Sequence, residues 1–308
     1  YAGNLHIHTP YSDGEEYHAA VADAALRAGL DFILFTDHNV LVNGVEGWHE
    51  RGGKRLLVLV GEEIHDQTRQ PEKNHLLVYG AGRELAALAA DPQKLIDAVN
   101  EAGGMAFLAH PFDPAATVVA DYDLSWVSWE VSGFTGIELW NYMTAFKAGM
   151  DSYWKAILYA FRPDLLMTAP LPQTLQKWDQ LLAAGQKVMV VGNADAHANR
   201  YSLIGITRTV FPYEYLFRCV NTHVLLDRPF SGDWEGDRAR VLDAVRKGHS
   251  FVAYDLPAST RGFRFSGSGD RGNGIMGDTL TLRNGVTLQI STPQKALIRL
   301  IHNGQEVQ

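Results

Sequence analysis

The chain has 308 residues, of which 46% are hydrophobic and 20% charged, the composition of an ordinary globular protein. A net charge of -8, without a Lys/Arg-rich run, argues against a nucleic-acid polymer as partner, and no apolar stretch reaches the roughly 20 residues that span a bilayer. The single cysteine, Cys219, excludes an intrachain disulfide framework and a cysteine-based zinc site.

Apolar runs alternate with helical patterns along most of the chain. Seven runs predict strands, at 4–9, 32–38, 55–64, 75–80, 105–111, 136–141 and 187–197. Helices are predicted at 15–29, with Asp13 or Gly14 near the start and Gly29 at the end, and at 91–104, with Asp91 as the N-cap. A mostly helical stretch covers about 143–185, and a helix-strand unit at 237–255 completes this body. The alternation predicts a parallel sheet covered on both faces, and seven units favour a closed α/β barrel.

The last part of the chain has a different character. Residues 262–274 are rich in glycine, and Asn-Gly pairs at 284–285 and 303–304 predict hairpins. We infer a β-rich module at 256–308 that continues beyond these residues or is cut short. Because strand-like sequence begins close to Tyr1, we also expect a longer natural N-terminus. The location is left open, with the cytoplasm slightly favoured.

Histidines and carboxylates recur at the ends of the predicted strands. They are His6, His8, His38, Glu63, His75, His110, Asp195 and His197. The carboxyl ends of barrel strands open onto one face, and buried polar groups need partners, so we expect these side chains to meet there as a metal site. The other histidines are interpreted as ordinary helix or loop residues, with His65 left open because it lies two residues from Glu63.

The ordered motifs HxH, SDG, TDH, GEE, AHP and DAH resemble the PHP (polymerase and histidinol phosphatase) superfamily of metal-dependent hydrolases over about residues 4–255. The run GHSFVAYDLPASTRGF (248–263) resembles a carbaryl-hydrolase-like subgroup with a β-rich extension. The resemblance implies an α/β fold, a distorted (β/α)7 barrel at 1–255 with a helical insertion at about 112–185. The module at 256–308 would follow it.

The resemblance also implies two or three divalent metal ions. Carried over onto this chain, the ligands are His6, His8 and Asp195 for the first ion, Glu63, His75 and His110 for the second, and Asp13, His38 and His197 for a third. Glu63 would bridge the first two ions, since the GxE spacing favours it over Glu62. Many relatives have histidine where this chain has Asp13, which leaves the third ion open. Zn, Mn and Fe suit such ligands about equally.

A hydroxide that bridges the metals, held by Glu63 and Asp195, is the predicted nucleophile. With three divalent ions and Asp13, the site would carry a net charge of about +2, which suits an anionic phosphomonoester. The same hydroxide could attack a carbamate, amide or ester carbonyl, which remains the alternative. A metal-binding module without catalysis is a third interpretation, disfavoured because all nine positions carry ligand side chains.

A phosphomonoester substrate requires a cation near the metals. Arg200 is the first candidate, with Arg208 and Lys147 as weaker ones, while Glu138 and Asn141 would line the pocket or hold ligand side chains by hydrogen bonds. We expect a small, anionic substrate and no membrane partner. The oligomeric state is left open.

Overall fold

A ten-stranded mixed sheet forms the body of the molecule. The computed structural model describes residues 1–116, 122–162, 165, 169–203 and 206–307. The first twelve strands are β1 (Ala2–Asn4), β2 (Phe32–Phe35), β3 (Gly47–Arg51), β4 (Lys54–Ile64), β5 (Leu76–Tyr79), β6 (Met105–Leu108), β7 (Gly136–Asn141), β8 (Met189–Asn193), β9 (Arg200–Leu203), β10 (Ile206–Thr209), β11 (Val220–Val224) and β12 (Ser250–Tyr254). Strands β9 and β10 form a separate pair. The other ten follow the order β12-β11-β1-β2-β4-β5-β6-β7-β8, with β3 paired to β4.

The two ends of this sheet lie close together, so that it is nearly closed into a barrel. On β11, the Thr222 hydroxyl accepts a hydrogen bond from the Gly192 N–H of β8 and donates one to the Gly192 carbonyl, both at 2.9 Å. A Cβ at Gly192 would come within 2.1 Å of Val252 on β12. The missing side chain therefore allows the two edges to approach.

The expectation of an all-parallel sheet is wrong at β5, β11 and β12. Strand β5 is antiparallel to both of its neighbours, β4 and β6, and β11 is antiparallel to β1 and β12. The physical reason lies in the connections: a parallel pair needs a crossover of a dozen or more residues that covers the sheet, usually with a helix, and no helix lies between β4 and β5. The fold is mixed α/β with a barrel-like sheet.

The helices are α1 (His18–Ala28), α2 (Pro92–Glu101), α3 (Tyr142–Gly149), α4 (Tyr153–Phe161), α5 (Pro172–Ala183), α6 (Tyr213–Leu216) and α7 (Trp234–Lys247), with a 3-10 turn at Ala86–Leu88. Two predicted signals are confirmed. The Asp91 carboxylate accepts a hydrogen bond from the Lys94 N–H at the start of α2, and Gly29 ends α1 in the left-handed region at φ 87°.

Helix α1 begins later than predicted. Tyr17 precedes its first residue, so the acidic residues from Asp13 to Glu16 lie in the turn before the helix rather than in its first turn. The Gly14 N–H donates to the Thr9 carbonyl and the Glu15 N–H to the His197 carbonyl, which fastens this turn beside the ends of the strands. Asp13 is thereby placed near the predicted ligands.

Both faces of the sheet are buried, as continuous apolar strands predict. On one face, Phe32 and Leu34 of β2 pack in a cluster with Leu57 of β4. On the other, Ile33 and Phe35 of β2 pack in a cluster that includes the apolar side of α1. The core thus covers the strands on both sides and leaves their ends as the place for polar side chains.

The C-terminal residues form small sheets. Strands β13 (Arg264–Gly269), β14 (Gly272–Ile275) and β15 (Val286–Ser291) make one sheet, and β16 (Ile301–His302) pairs with β17 (Gln305–Glu306). Asn303 and Gly304, with φ 51° and 74°, form the two-residue hairpin turn that the sequence predicts. The hairpin predicted at Asn284–Gly285 is wrong, since β15 begins after it and pairs with β13.

The stretch 112–185 contains α3, α4 and α5, and also the sheet strand β7. Residues 117–121, 163, 164 and 166–168 of this stretch lie outside the described part of the chain. Among the described residues, no helix has both the length and the apolar character needed to cross a membrane.

Candidate metal centre

His6 and His8 lie in an extended segment that follows β1. The predicted strand at 4–9 is shorter in the structure, ending at Asn4, because side chains take over its backbone hydrogen bonds. The Leu5 N–H donates to Asn193, the Ile7 N–H to Thr36 and the Thr9 N–H to Asp37, at 2.9, 3.0 and 2.6 Å. The segment stays extended, and both imidazoles lie in the same carboxylate-rich group.

Glu63 lies at the centre of the predicted ligands. Its Oε1 is 2.9 Å from His75 Nδ1 and 3.0 Å from His110 Nε2. Its Oε2 is 2.8 Å from His6 Nε2, 3.1 Å from His8 Nε2 and 3.4 Å from His38 Nδ1. The two oxygens of one buried carboxylate therefore face two different sets of imidazoles.

Asp195 and Asp13 complete the group on the other side of His8. Asp195 Oδ1 lies 3.3 Å from His8 Nε2, and 3.4 Å from both His6 Nε2 and His197 Nδ1. Asp13 lies 3.2 Å from His197 Nε2 and reaches His8 and His38 at 3.6 and 3.8 Å. All nine predicted ligands are thus brought together, with the Asp13 side chain 56% exposed at the edge.

The ligand side chains converge because most of them follow the carboxyl end of a strand, but His75 does not. His38, His110 and Asp195 follow β2, β6 and β8, as the barrel rule predicts. His75 instead precedes β5, and it reaches the same edge because β5 runs antiparallel to its neighbours. His110 and Asp195 have φ 25° and 57°, left-handed values that are costly for residues other than glycine, and such values cluster at functional sites.

The carboxylates of the site are held in the ionised form. Burial raises the pKa of Glu63, but the surrounding imidazoles of His6, His38 and His75 outweigh it and hold that pKa well below its usual range. Burial is likewise outweighed at Asp195, chiefly by His6 and His197. A concentrated negative charge inside the protein needs positive charge nearby.

The pKa values of the imidazoles shift in two directions. At His38 and His75 burial dominates, placing the pKa of His38 well below its usual range and that of His75 at about 4. At His8 and His110 burial also lowers the pKa, but the nearby carboxylates of Glu63 and Asp195 outweigh it and raise the pKa to about 10 and about 9. The carboxylates also raise the pKa of His6 well above its usual range, against its burial. Three imidazoles thus hold protons where the carboxylates demand positive charge, which a divalent cation can replace.

Several nitrogen and oxygen atoms of the group are buried without a hydrogen-bond partner. They are His8 Nε2, His38 Nδ1, His75 Nε2, His110 Nδ1 and Asp195 Oδ1. A buried polar atom without a partner is costly. Five such atoms in one place therefore indicate that this group of side chains binds a ligand. Three sets of ligand atoms, each converging within 4.8 Å, lie here: His6, His8, Glu63 and Asp195; His38, Glu63 and His75; and His8, Asp13, His38 and His197. The donor atoms fit divalent metal ions.

A fourth set, His65, Glu72 and His75, shares His75 with the set His38, Glu63 and His75. The rings of His65 and His75 are stacked, with centroids 4.3 Å apart and planes inclined by only 8°. The lone pairs of imidazole nitrogens lie in the ring plane, so parallel rings do not direct them at one point. His65 therefore packs against a predicted ligand, and we do not add it to the nine.

Glu138 lies behind the cluster. One oxygen accepts from Asn193 and is 3.0 Å from His6 Nδ1, and the other accepts from the His110 N–H and Asn141, at 2.9 to 3.0 Å. Glu138 is 1% exposed, so it holds ligand side chains in place rather than facing solvent. Asn141 also donates to Asp195 Oδ2 at 3.1 Å. The role of Asn193 was missed because an amide two residues before DAH gives no signal in sequence.

The three candidate cations have other partners. Arg200 is exposed and lies 3.4 Å from Glu15. Lys147 is buried and donates to Asp113 at 2.8 Å. The Arg208 guanidinium lies over the ring of Phe161, 4.4 Å from its centroid. A role of Arg200 in binding a phosphate would require it to leave Glu15.

The fold and the ligand group define a metal-binding α/β protein. Residues 4–121 match the family model of the PHP domain, which confirms the resemblance seen in the motifs. An uncharacterised protein of Methanocaldococcus jannaschii is 27% identical over 151 residues, which are 45% of this chain and 80% of that protein. Together, the match to the PHP-domain model and the group of ligand side chains support a metal-dependent hydrolase.

Two solved structures are similar to this chain. A two-domain protein from Bacteroides vulgatus, containing a predicted PHP-like metal-dependent phosphoesterase, matches with a TM-score of 0.47 and 16% identity over 82% of this chain and 64% of its own. The lesion-specific endonuclease Q of Pyrococcus furiosus matches with a TM-score of 0.43 and 14% identity, over 82% of this chain and 57% of its own. This chain thus spans less than two thirds of either protein.

Proposed function

We propose that the protein is a metal-dependent phosphomonoesterase whose nine ligands hold two or three divalent ions. The observation that carries the proposal is the position of Glu63. One of its oxygens faces His75 and His110, and the other faces His6, His8 and His38. A carboxylate with imidazoles around each oxygen is suited to bridge two ions.

The ring orientations support the same division of ligands. His6 and His8, proposed to share an ion, have planes inclined by 53°, and His75 and His110 by 60°. His8 and His197 are proposed to bind different ions, and their stacked rings are inclined by only 14°. Because imidazole lone pairs lie in the ring plane, inclined rings can direct them at one point, whereas stacked rings cannot.

When bound, the ions would lower the pKa of an attacking water and stabilise the charge that develops on the phosphoryl oxygens. The chain's own residues do the rest. Glu63 and Asp195 would bind the ions that hold the attacking oxygen nucleophile. Glu138 fixes His6 through Nδ1, which leaves Nε2 for an ion. Asn141 donates to both Glu138 and Asp195 and so fixes their orientation.

The substrate class is a small, anionic molecule. The prediction that nucleic acid is not a partner rests on the charge of the chain. The similar structures do not support that prediction, since one of them is an endonuclease. Hydrolysis of a carbamate, amide or ester is the second candidate. The pairing of Arg200 with Glu15 favours it, because such carbonyl substrates need no cation to bind a phosphate.

We also propose the finer architecture. Residues 1–255 form one distorted (β/α)7 barrel with a helical insertion at about 112–185, and residues 256–308 form a β-rich module. The separate sheet formed by β13, β14 and β15 supports this division. Hydrogen bonds join the two parts. Asp255 lies 2.9 Å from His223 of β11 and accepts a hydrogen bond from Thr260. A cytoplasmic location stays a prediction.

The test combines metal analysis with turnover. Protein purified without chelator should carry two to three equivalents of Zn, Mn or Fe, and should hydrolyse p-nitrophenyl phosphate faster than p-nitrophenyl acetate or an aryl carbamate. Glu63→Gln and His8→Ala should each lower kcat by about 10³-fold or more, since Glu63 is the proposed bridge between the ions and His8 a proposed ligand of one of them. Glu62→Gln, on the neighbouring residue of β4, is the matched control.

Three results would contradict the proposal. Less than one metal per chain would refute the metal site, and activity retained in both variants would place catalysis elsewhere. Faster turnover of the carbamate or acetate would favour the second candidate.

A further inference from the structure

The apolar side of helix α4 is turned to solvent. Five of its large side chains are exposed, namely Tyr153, Trp154, Ile157, Leu158 and Phe161. Trp154 is 81% exposed and Tyr153 71%. A surface helix of a globular protein normally buries its apolar stripe and leaves its charged side in water. The reverse arrangement in α4 indicates that something covers this side of the helix in solution.

These five side chains form one continuous surface, which we call the α4 patch. With 3.6 residues per turn, they fall within an arc of about 140° around the helix axis. Tyr159 lies nearly opposite the middle of that arc, and it packs against the core cluster that includes the apolar side of α1. The helix therefore contacts the body of the molecule on its Tyr159 side and presents the α4 patch on the other.

The α4 patch is large enough for a specific interface. A fully exposed aromatic side chain offers about 200 Å², so Tyr153, Trp154 and Phe161 together present on the order of 400 Å². Ile157 and Leu158 add to this area, since they are 43% and 45% exposed. Two such patches in contact would bury on the order of 1,000 Å², which is the lower limit for a specific protein interface.

The charges around the α4 patch do not suit a membrane. Helices that lie on a lipid surface carry many Lys and Arg residues, which anionic lipids attract. Helix α4 has one charged residue, Lys155, and it donates to Asp151 at 2.6 Å. Arg208 lies over one face of the Phe161 ring. The chain as a whole has a net charge of -8, so an anionic surface would repel it.

The order of residues along the α4 patch suits pairing with itself. Tyr153 and Phe161 lie four residues before and after Ile157, about one turn away on each side. Rows of residues four apart are the ridges that interdigitate when two helices pack. In an antiparallel pair with its two-fold axis at Ile157, Tyr153 of each copy faces Phe161 of the other, and the two Ile157 side chains meet at the axis.

We propose that the α4 patch is the interface of a symmetric dimer, in which two copies of this chain pack antiparallel through α4. Such an interface is isologous, so a residue at the axis contacts its own counterpart. The proposal does not depend on the proposed catalytic function, because all nine predicted ligands of the metal site come from one copy.

Sedimentation velocity of the whole chain tests this proposal at up to about 100 µM, because interfaces of this size can bind weakly. Wild type should sediment as a dimer. Ile157→Glu and Ile157→Lys should each raise the dimer Kd by about 100-fold or more, since like charges would meet at the axis. An equimolar mixture of the two variants should restore the dimer, because opposite charges then meet.

Two further variants complete the experiment. Leu282→Glu changes an exposed apolar residue of the C-terminal part and is the control, so it should leave the dimer intact. Trp154→Glu, at the most exposed residue of the patch, is a second disrupting variant should either Ile157 variant not fold. Circular dichroism of each variant should match that of wild type, because these side chains are exposed in the single chain.

Several outcomes would overturn the proposal. They are a wild type that stays monomeric at the highest concentration, a dimer that the Ile157 and Trp154 variants leave intact, and a mixture of the two Ile157 variants that stays monomeric. Binding of a monomeric wild type to vesicles of phosphatidylcholine and phosphatidylserine, lost in Ile157→Glu, would assign the patch to a membrane surface instead.

Discussion

Glu62 and Glu63 are neighbours on β4 with opposite surroundings, and replacing Glu62 by Gln tests this difference. Glu63 faces the imidazoles, whereas Glu62 lines a separate cavity with Leu41 and Arg83. Burial, together with a hydrogen bond to Glu84, raises the pKa of Glu62 from 4.5 to about 9. The carboxyl groups of Glu62 and Glu84 therefore share one proton, which stays on Glu62 in the folded protein.

This proton makes stability depend on pH. Between pH 4.5 and about 9 the folded chain holds one proton more than the unfolded chain at Glu62. The contribution of Glu62 is therefore fully present below pH 4.5 and falls by about 1.4 kcal/mol per pH unit up to about pH 9. From pH 5 to pH 8 the loss amounts to about 4 kcal/mol.

A glutamine at this position does not titrate, and its amide can still donate to Glu84. Glu62→Gln should therefore gain up to about 4 kcal/mol in unfolding free energy, relative to wild type, as the pH rises from 5 to 8. Urea unfolding of both proteins, with chelator present, measures this difference at each pH. Glu101→Gln, at an exposed position, is the control and should show no such trend. If the stability curves of Glu62→Gln and wild type run parallel, the shared proton is refuted.

Further predictions concern the ion pair, the metals and the thiol. Lys147→Met leaves the Asp113 carboxylate buried without its ion-pair partner, so the unfolding free energy measured in urea should fall by about 3–5 kcal/mol. Adding Asp113→Leu should partly restore it. An unchanged urea midpoint would contradict a stabilising ion pair. Removing the metals with a chelator should lower the unfolding free energy by about 2.7 kcal/mol if the free metal concentration was 100 times Kd. This loss should appear as a lower Tm that added Zn or Mn restores. An unshifted Tm would argue against tight binding. Burial raises the pKa of Cys219 to about 12, so Cys219→Ala should keep full activity, and inactivation by thiol reagents would show otherwise.

The convergence of these side chains at one sheet edge could be predicted from sequence because the barrel rule is local. Polar side chains that follow buried apolar strands must lie at the sheet edge, where unpaired imidazoles need partners. His6, His8, His38, His110 and Asp195 were found in this way. Capping signals also predicted the start of α2 and the end of α1. Asp91 and Gly29 act through hydrogen bonds and dihedral angles within a few residues.

Strand direction depends on distant parts of the chain, so sequence patterns could not supply it. The apolar run of β5 reads the same in either direction, yet only the antiparallel arrangement brings His75, at its beginning, to the metal edge. The direction follows from pairing with β4 and β6, which depends on the whole sheet.

The partners of charged groups were likewise decided by tertiary structure. Spacing alone favoured Glu63 over Glu62, but only the fold shows one carboxylate between two sets of imidazoles and the other beside Glu84. The sequence favoured Arg200 over Lys147 as a phosphate-binding cation, yet the fold pairs Arg200 with Glu15 and Lys147 with Asp113. The sequence by itself determined which residue types stand at the strand ends. Only the tertiary structure decided which charge each of them meets, because those partners come from segments far apart in the chain.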